Sequence, residues 1–223
     1  DPVASHEVNA TGTLYVLEAA RAAGAHVVVA SSSSVYGNTD VLPKHEDLPT
    51  RPLSPYGVSK LATEGYALAH QASFGLPALA FRFFNVYGPL QAAGHAYAAV
   101  VPAFVDAALR GEPVTVHGDG LQTRDFTYVG TVTRVLAEAV LKRISSPGPV
   151  NLAFGTRSSL LDLLALLEKE LGVSVERRHV ESRAGDVRDS QAASERLTAL
   201  FPEVSAVPLE RGLGETVDWF RRR

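Results

Sequence analysis

The chain has 223 residues and a formal net charge of −3, and 46% of its residues are hydrophobic and 20% charged. This is the balance of an ordinary globular protein, long enough for one large domain or a domain with a lobe. The net charge offers no basic field for a nucleic-acid backbone, and no apolar run approaches the ~20 residues of a membrane span, so we expect neither partner. The absence of Cys excludes disulfides and thiolate metal sites and agrees with the cytoplasmic location that we predict, and we predict no metal site.

The first half of the chain predicts helices that alternate with buried strands. Apolar residues at three- and four-residue spacing indicate helices, and runs of β-branched residues indicate buried strands. The predicted elements are a helix over residues 9–23, a strand over 26–33, a helix over 55–74 and a strand over 78–86. Gly24 and Gly75 are the expected helix stops, and the prolines between residues 43 and 55 forbid regular structure in the intervening loop.

The second half continues the alternation with shorter and more irregular segments. The predicted elements are a helix over 97–110, a strand over 114–118, a helix over 129–142, a strand over 149–155, an amphipathic helix over 159–172, a strand over 173–180 and a helix over 208–223. Alternating helices and strands predict an α/β fold with a mainly parallel sheet. The irregular segments after about residue 86 indicate a lobe built from excursions of the chain.

A tyrosine and a lysine share one face of the second predicted helix. Tyr56 and Lys60, in SPYGVSK, are four residues apart and therefore adjacent on a helix. A phenol is a poor base at neutral pH, but a nearby ammonium favours the phenolate and brings the group into a useful range for acid/base chemistry. A surface tyrosine beside a surface lysine would give the same pattern.

Hydroxyl side chains follow the first predicted strand. The run SSSSVYG spans residues 31–37, at the carboxyl end of the strand, where α/β proteins bind ligands. A serine there can bind a sugar hydroxyl or carbonyl and relay its proton to Tyr56. A Ser-rich turn explains this run equally well by itself, but its position about twenty residues before the Tyr-x-x-x-Lys pair favours a catalytic interpretation.

Five sequence motifs, taken together and in their order along the chain, resemble those of a known enzyme family. They are HVVVASSSSVYG, SPYGVSK, FRFFNVYGP, GDGLQTRDFTYV and RAGDVRDS. With them the whole chain resembles the extended short-chain dehydrogenases that act on nucleotide sugars, in particular the UDP-glucose and UDP-N-acetylglucosamine 4-epimerase group of the NAD-dependent epimerase/dehydratase family. The resemblance implies a partial Rossmann-like, doubly wound parallel sheet with a smaller C-terminal α/β substrate-binding lobe. It places the carboxyl-terminal part of the NAD-binding domain in residues 1–86 and mainly the lobe in residues 87–223, with some segments returning to the sheet.

The resemblance also implies site roles. It assigns catalysis to Ser32, Ser33, Tyr56 and Lys60, cofactor binding to Asn9, Ser31, Tyr56, Lys60 and Phe84, and substrate binding to Ser32, Asn85, Arg124, Arg183, Asp186 and Ser190. The planar fork of arginine suits phosphate oxygens, although each arginine taken alone also fits a surface salt bridge. Asn9 and its neighbour Thr11 also fit a helix cap.

The implied activity is inversion at C4 of a UDP-sugar substrate through transient oxidation by NAD. Related dehydratases carry Asp-Glu where this chain has Ser33 and Ser34, and related decarboxylases usually carry Glu in place of Ser34, so the epimerase is favoured. The alternatives are a 4,6-dehydratase, a UDP-glucuronate-processing enzyme, or a binding protein on a degenerate scaffold. Ser190 stands where the family has either Tyr or a small residue, which predicts that N-acetylated sugars are also accepted.

The chain departs from the family at several points. Gly130 and Thr131 stand where acidic residues are usual, and Ala193 replaces a frequent Asp; both changes concern local capping and packing more than catalysis. The family's first strand and Gly-rich turn would precede Asp1, so we expect the 223-residue chain alone to bind NAD weakly or not at all. The family implies a homodimer through the helices beginning near Asn9 and Tyr56, with an apolar stripe of Leu61, Leu68 and Ala69 that could equally be core.

Overall fold

The computed structural model describes residues 1–94, 99–182 and 187–223, and these form two compact units. Unit 1 comprises residues 1–84, 133–155 and 192–204, and unit 2 comprises residues 85–132, 156–191 and 205–223. The first crossing between the units, after Phe84, lies two residues before the boundary predicted at residue 86. The chain then returns to unit 1 twice.

Helices and short strands follow one another along most of the chain. In chain order they are α1 (Pro2–His6), a π-helical turn (Glu7–Thr11), α2 (Gly12–Ala23), β1 (Val27–Ser32), a 3₁₀ turn (Ser33–Tyr36), α3 (Pro55–Phe74), β2 (Ala78–Phe83), β3 (Asn85–Tyr87), α4 (Val100–Leu109), β4 (Val114–His117), β5 (Thr123–Arg124), β6 (Phe126–Tyr128), α5 (Val129–Leu141), β7 (Val150–Leu152), β8 (Ser158–Ser159), α6 (Leu160–Leu171), β9 (Arg177–Val180), α7 (Glu195–Leu200) and α8 (Leu209–Arg221).

Unit 1 is built on a three-stranded parallel sheet in the order β1–β2–β7. The parallel sheet confirms the predicted α/β class. Helix α3 packs against β1 and β2, and α2 packs against α3. Apolar residues on the facing sides of these elements are buried, including Leu17, Val29, Ala67 and Ala80. This packing brings the first turn of α3 to the carboxyl end of β1.

The outer edge of β1 is open in the part of the chain that the structure describes. Strand β1 is at the edge of its sheet, with β2 as its neighbour on one side only. A cleft of about 340 Å³ runs along this edge and is lined by β1 from Val27 to Ala30 and by side chains of the preceding and following helices, among them Val8, Asn9, Val16 and Lys60.

The described residues of unit 2 form three two-stranded sheets: β3–β6 and β4–β9 are parallel, and β5–β8 is antiparallel. Its core is centred on α6, whose residues Leu160, Leu163, Leu164 and Leu167 lie on one face and are buried. A capping box between Ser159 and Asp162 begins this helix, and Gly172 ends it in the left-handed conformation. Among the residues described, no helix is both long and apolar enough to cross a membrane.

Several boundaries differ from those predicted. The first helix begins at Pro2 instead of residue 9, because Asp1 caps it and proline suits its first turn. The apolar run 78–86 is two strands in different sheets, divided at Phe84. The strand predicted over 173–180 is confined to β9, and the short elements β5, β6, β8 and α7 carry no periodicity that sequence reasoning could detect.

Candidate active site

The serine run leaves β1 through a tight turn. Ser32 has extended backbone, and its side-chain oxygen accepts the N–H of Ser34 at 3.2 Å, which begins the 3₁₀ turn. Gly37 ends the turn with a φ of 63°, and a Cβ there would lie 1.9 Å from the Arg51 carbonyl oxygen. Only glycine fits at this position, because any side chain would collide with the Arg51 backbone and would also be strained at this left-handed φ. The close approach to Arg51 directs the chain back toward α3. Ser32 and Ser33 are half-buried at the end of the sheet.

The first turn of α3 lies directly against that serine turn. Ser54 caps the helix by accepting the Gly57 N–H at 3.1 Å, and Pro55 occupies the first turn. A Cβ at Gly57 would lie 3.1 Å from the Ser34 carbonyl oxygen and 2.9 Å from the Pro52 Cβ. The glycine therefore allows the helix backbone to approach the turn closely. Its neighbour Tyr56 is 47% exposed, which leaves the phenol accessible.

Tyr56 and Lys60 are brought together on α3. The Lys60 Nζ lies 5.9 Å from the centroid of the Tyr56 ring and donates a hydrogen bond to the Ala30 carbonyl at 3.0 Å. Burial lowers the pKa of Lys60, because desolvation disfavours the charged ammonium. Ala30 is two residues before Ser32, so Lys60 links the helix to the strand that carries the serines.

Asn9 is fixed to the same helix from the π-helical turn. Its side-chain amide donates to the Ser59 hydroxyl at 3.0 Å, and that hydroxyl donates to the Tyr56 carbonyl at 2.8 Å. Its own carbonyl accepts the Thr63 hydroxyl at 2.7 Å. The alternative that Asn9 or Thr11 caps the helix with its side chain is wrong, because α2 continues directly from the π-helical turn and Thr11, at its N-cap position, makes no side-chain cap hydrogen bond. Single π-helical turns often mark functional positions.

Ser31 and Phe84 are buried. The Ser31 hydroxyl donates to the Glu64 carboxylate at 2.9 Å, so in this structure it serves the protein's own network. Phe84 packs in a cluster with Val35 and Tyr36, and its ring centroid lies 6.3 Å from that of Tyr36. Their contacts with a cofactor stay predictions.

Sequence reasoning missed a buried polar network beneath the serines. It contains the ion pair of Glu64 and Arg82, with the Tyr36 ring under the guanidinium. The available signal was an arginine inside the apolar strand ALAFRFF and a glutamate one turn after Lys60. Spacing alone does not reveal that these two charges meet.

Three of the predicted substrate residues, Asn85, Arg124 and Ser190, make hydrogen bonds to backbone carbonyls of the segment 123–125. The Asn85 backbone N–H donates to the Asp125 carbonyl at 3.2 Å, and its side-chain amide approaches the same oxygen at 3.4 Å. Arg124 donates to the Thr123 carbonyl at 2.8 Å. Ser190 is buried, and its N–H donates to the Thr123 carbonyl at 3.1 Å. Arg183 and Asp186 lie outside the described residues.

The described residues contain no group of three or more metal-ligating side chains that could hold a metal ion. The residues that unit 1 brings together are an accessible phenol, an ammonium and strand-end hydroxyls. This is a constellation for moving a proton to and from an oxygen of a bound molecule.

Comparisons with known proteins agree with these observations. Residues 1–153 match the model of the NAD dependent epimerase/dehydratase family. The chain is 33% identical to a UDP-glucose 4-epimerase of Mycolicibacterium smegmatis, with 100% of this chain and 71% of that protein covered. It is 30% identical to UDP-glucuronic acid decarboxylase 1 of Xenopus tropicalis, with 100% of this chain and 53% of that protein covered.

Among solved structures, the chain resembles the UDP-N-acetylglucosamine 4-epimerase of Methanobrevibacter ruminantium in complex with UDP-N-acetylmuramic acid. The TM-score is 0.95 at 30% identity, with 100% of this chain and 71% of that chain covered. The family resemblance stated from the motifs is confirmed. On the strength of the family match and of relatives that align along its whole length, the chain belongs to the NAD-dependent epimerase/dehydratase family.

Proposed function

We propose that this chain carries the acid/base and substrate-binding residues of a UDP-sugar 4-epimerase. The observation that carries the proposal is the close packing of the first turn of α3 on the serine turn. Tyr56 flanks Gly57, whose backbone approaches the Ser34 carbonyl, and Lys60 is bonded to Ala30 on the strand that ends in Ser32. The 4-epimerases among the relatives support the choice of reaction.

The hydrogen-bonding groups of Lys60, Tyr56 and Asn9 are suited to binding the hydroxyl groups of a nicotinamide ribose. Lys60 has three N–H donors, and the Ala30 carbonyl accepts from this ammonium at 3.0 Å, so donors are left for ribose oxygens. Tyr56 and Asn9 lie at the same turn of α3. NAD, when bound, supplies the acceptor and later the donor of a hydride.

The protein's own part of the reaction is proton transfer and orientation. Tyr56 takes the proton of the sugar 4-hydroxyl during oxidation and returns it during reduction. The Ser32 oxygen accepts the Ser34 N–H, and within the described residues no acceptor for the Ser32 hydroxyl proton is seen, so this hydroxyl can donate to the sugar oxygen. Lys60 keeps a positive charge beside the phenol ring, and Ser33 assists at the same turn.

The residues at positions 33 and 34 favour epimerisation over the related reactions. Elimination of water needs an acid and a base close to the sugar, and this turn presents hydroxyls instead of carboxyl groups. The Ser34 Oγ is buried and has no hydrogen-bond partner among the residues described. The match to a UDP-glucuronic acid decarboxylase makes decarboxylation the second candidate.

The substrate-binding part of the proposal concerns unit 2. Asn85 and Arg124 are proposed to meet the diphosphate and nucleotide, with Arg183 and Asp186 closing on the diphosphate and ribose. Ser190 is small and buried, which supports acceptance of a 2-N-acetyl group. Replacing Ser190 with Tyr should selectively abolish turnover of UDP-N-acetylhexosamines, and equal loss of both substrate classes would contradict this role.

The activity test uses the protein expressed at the full length of its reading frame. It is incubated with NAD⁺ and UDP-glucose, UDP-N-acetylglucosamine or UDP-glucuronate, and the products are identified by NMR. The expected products are the C4 epimers. Loss of water or carbon dioxide identifies a dehydratase or a decarboxylase, and binding of a UDP-sugar without turnover identifies a binding protein.

Tyr56→Phe is the matched variant for the activity test. It removes only the phenolic oxygen and should lower kcat by about 10²- to 10⁴-fold, the usual contribution of a positioned acid/base. Ser73→Ala, which removes an exposed hydroxyl near the end of the same helix, is the control and should keep kcat within about twofold of the parent.

We also propose that the protein forms a homodimer through α2 and α3. The exposed apolar residues of this helix pair and the preceding turn support it: Val8, Tyr15, Val16, Val58 and Tyr66. Within the stripe of Leu61, Leu68 and Ala69, Leu61 packs inward against the cluster of Val35 and Phe84, as the core alternative predicts, and Ala69 is exposed. Sedimentation equilibrium should give twice the mass of one chain, and Tyr15→Glu should return a monomer.

A further inference from the structure

A buried ion pair connects α3 to the central strand of unit 1. Glu64 and Arg82 are each 3% exposed. The pair is bidentate: the Arg82 Nε donates to Glu64 Oε2 at 2.9 Å, and its Nη2 donates to Oε1 at 2.6 Å. A bidentate guanidinium–carboxylate contact fixes orientation as well as distance, because the two planar groups must face each other.

The same carboxylate reaches the strand end that carries the catalytic serine. The Ser31 hydroxyl donates to Glu64 Oε2 at 2.9 Å, and Ser31 is paired with Arg82 across β1 and β2. Ser31 immediately precedes Ser32, and Lys60 lies one helical turn before Glu64. One carboxylate therefore joins the helix that carries the acid/base pair to the strand that carries the serine.

Arg82 extends the connection to the serine turn and the following loop. Its guanidinium lies 4.7 Å from the centroid of the Tyr36 ring, at the end of the 3₁₀ turn. Its Nη1 donates to the Glu46 carbonyl at 3.1 Å. Tyr36 is itself fixed, because its hydroxyl donates to the Asn151 side chain at 2.7 Å. The segments around the proposed catalytic groups thus share one buried guanidinium.

Stability alone does not account for this pair. Desolvation of two charges offsets most of their attraction, and apolar side chains of similar volume often replace buried ion pairs without loss of stability. What apolar side chains cannot reproduce is the direction of the contacts. A helix that packs on a sheet through apolar residues can settle at slightly different positions, whereas a helix held by a bidentate pair cannot.

We propose that Glu64 and Arg82 are positioning residues, which hold α3 on β1 at the register where Tyr56 and Lys60 stand beside the strand end that bears Ser32. They contact neither the proposed substrate nor the cofactor and act through the helix and the strand. The inference rests on the proposed function, since it concerns the geometry of that same site.

The first test replaces the whole pair with apolar side chains. Glu64→Leu/Arg82→Met removes both charges together, so that neither is left buried and unpaired. We expect a folded protein with a melting temperature near that of the parent, a kcat lowered about 10- to 100-fold and a KM within about twofold. Lys169→Gln/Glu210→Gln removes an exposed ion pair between α6 and α8 and is the control, with kcat unchanged.

The second readout does not depend on turnover. Crystal structures of the parent and of the double variant give the distance from the Lys60 Nζ to the centroid of the Tyr56 ring and the position of both groups relative to the end of β1; the distance is 5.9 Å in the parent. If the ion pair sets the register of α3, the apolar replacement should displace Tyr56 and Lys60 relative to β1 by about 1 Å. A role confined to stability would leave this position unchanged.

Ser31→Ala tests the same link without altering a charge. It keeps the ion pair and removes the hydroxyl that bonds Glu64 at 2.9 Å and approaches the Lys60 carbonyl of the same helix at 3.4 Å, so it should fold even where the double variant does not. We expect a kcat lowered about 3- to 10-fold, because one hydrogen bond to a charged group is lost. The kcat of Arg82→Lys should lie between those of the parent and the double variant, since lysine keeps the positive charge but cannot make the bidentate contact with Glu64.

The outcomes separate this inference from the proposed function. A parent protein that does not epimerise any UDP-sugar contradicts the proposed function, and the position of Tyr56 and Lys60 relative to β1 then still tests the positioning role. An active parent whose folded double variant keeps both its kcat and this position overturns the positioning role. If the double variant does not fold, an unchanged kcat and an unchanged position of these groups in Ser31→Ala overturn it.

Discussion

The two glycines of α3 offer a matched test of the contact between the helix and the serine turn. Gly57 and Gly65 lie on the same helix, and replacement by alanine normally stabilises a helix by up to about 1 kcal/mol, partly through the unfolded state. At Gly65 a new Cβ meets no atom within 4 Å, so this gain should be seen. At Gly57 the new Cβ would lie 2.9 Å from the Pro52 Cβ and 3.1 Å from the Ser34 oxygen.

Because backbone and proline atoms cannot give way cheaply, Gly57→Ala must shift the first turn of α3. Such overpacking costs about 1 to 3 kcal/mol, and this cost should be the difference in unfolding free energy between the two variants. A shift of the turn also moves Tyr56, and misplacement by about 1 Å lowers kcat/KM by about 10²-fold. Urea unfolding and initial-rate kinetics give the two quantities. Equal stability and activity of Gly57→Ala and Gly65→Ala would refute the close approach.

Three further predictions concern stability. Gly37→Ala should lower the unfolding free energy by at least about 2 kcal/mol in urea melts, because it forces a Cβ onto the Arg51 carbonyl at a left-handed φ; loss below about 0.5 kcal/mol would contradict this. The Ser159 hydroxyl and backbone N–H lower the pKa of Asp162, so the capping box stabilises the fold above the unfolded value of about 3.9 and this contribution is lost as pH falls through the lower folded value. Ser159→Ala should therefore cost about 1 kcal/mol at pH 7 and show a flatter loss of stability on acidification to pH 2, measured by thermal melts across that range. Leu164→Ala, at a fully buried site, should cost about 2 to 5 kcal/mol, and a cost under about 1 kcal/mol would show that α6 is not central to unit 2.

Long periodic segments could be predicted from the sequence because their physics is local. Helix α3 occupies residues 55–74, as predicted, since Ser54 and Pro55 begin it and Gly75 ends it. Helix α6 lies within the predicted range for the same reason. The two-residue strands β5 and β8 have too few residues to show any alternation. The division of the run 78–86 at Phe84 depends on which strand each half pairs with, and a continuous apolar run does not contain that information.

The candidate site was predictable where function needs a fixed spacing. Tyr56 and Lys60 share a helix face whatever surrounds them, so their proximity follows from the sequence. The partners of Ser31, Glu64 and Arg82 are 18 or more residues apart in sequence, and tertiary packing alone brings them together. Polar residues inside apolar segments are therefore the signal to examine, even though their partners cannot be named beforehand.

Among the described residues, β1 pairs with a strand on one side only, and this has a consequence for handling the 223-residue chain in solution. An uncovered strand edge presents a row of backbone donors and acceptors that can pair with another molecule, and this pairing is a common first step of aggregation. Charged residues and prolines usually deter it, but none occurs from Val27 to Ser32. A strand that pairs with this edge in extended form, supplied by a longer chain or by an added peptide, should therefore reduce precipitation of the 223-residue chain.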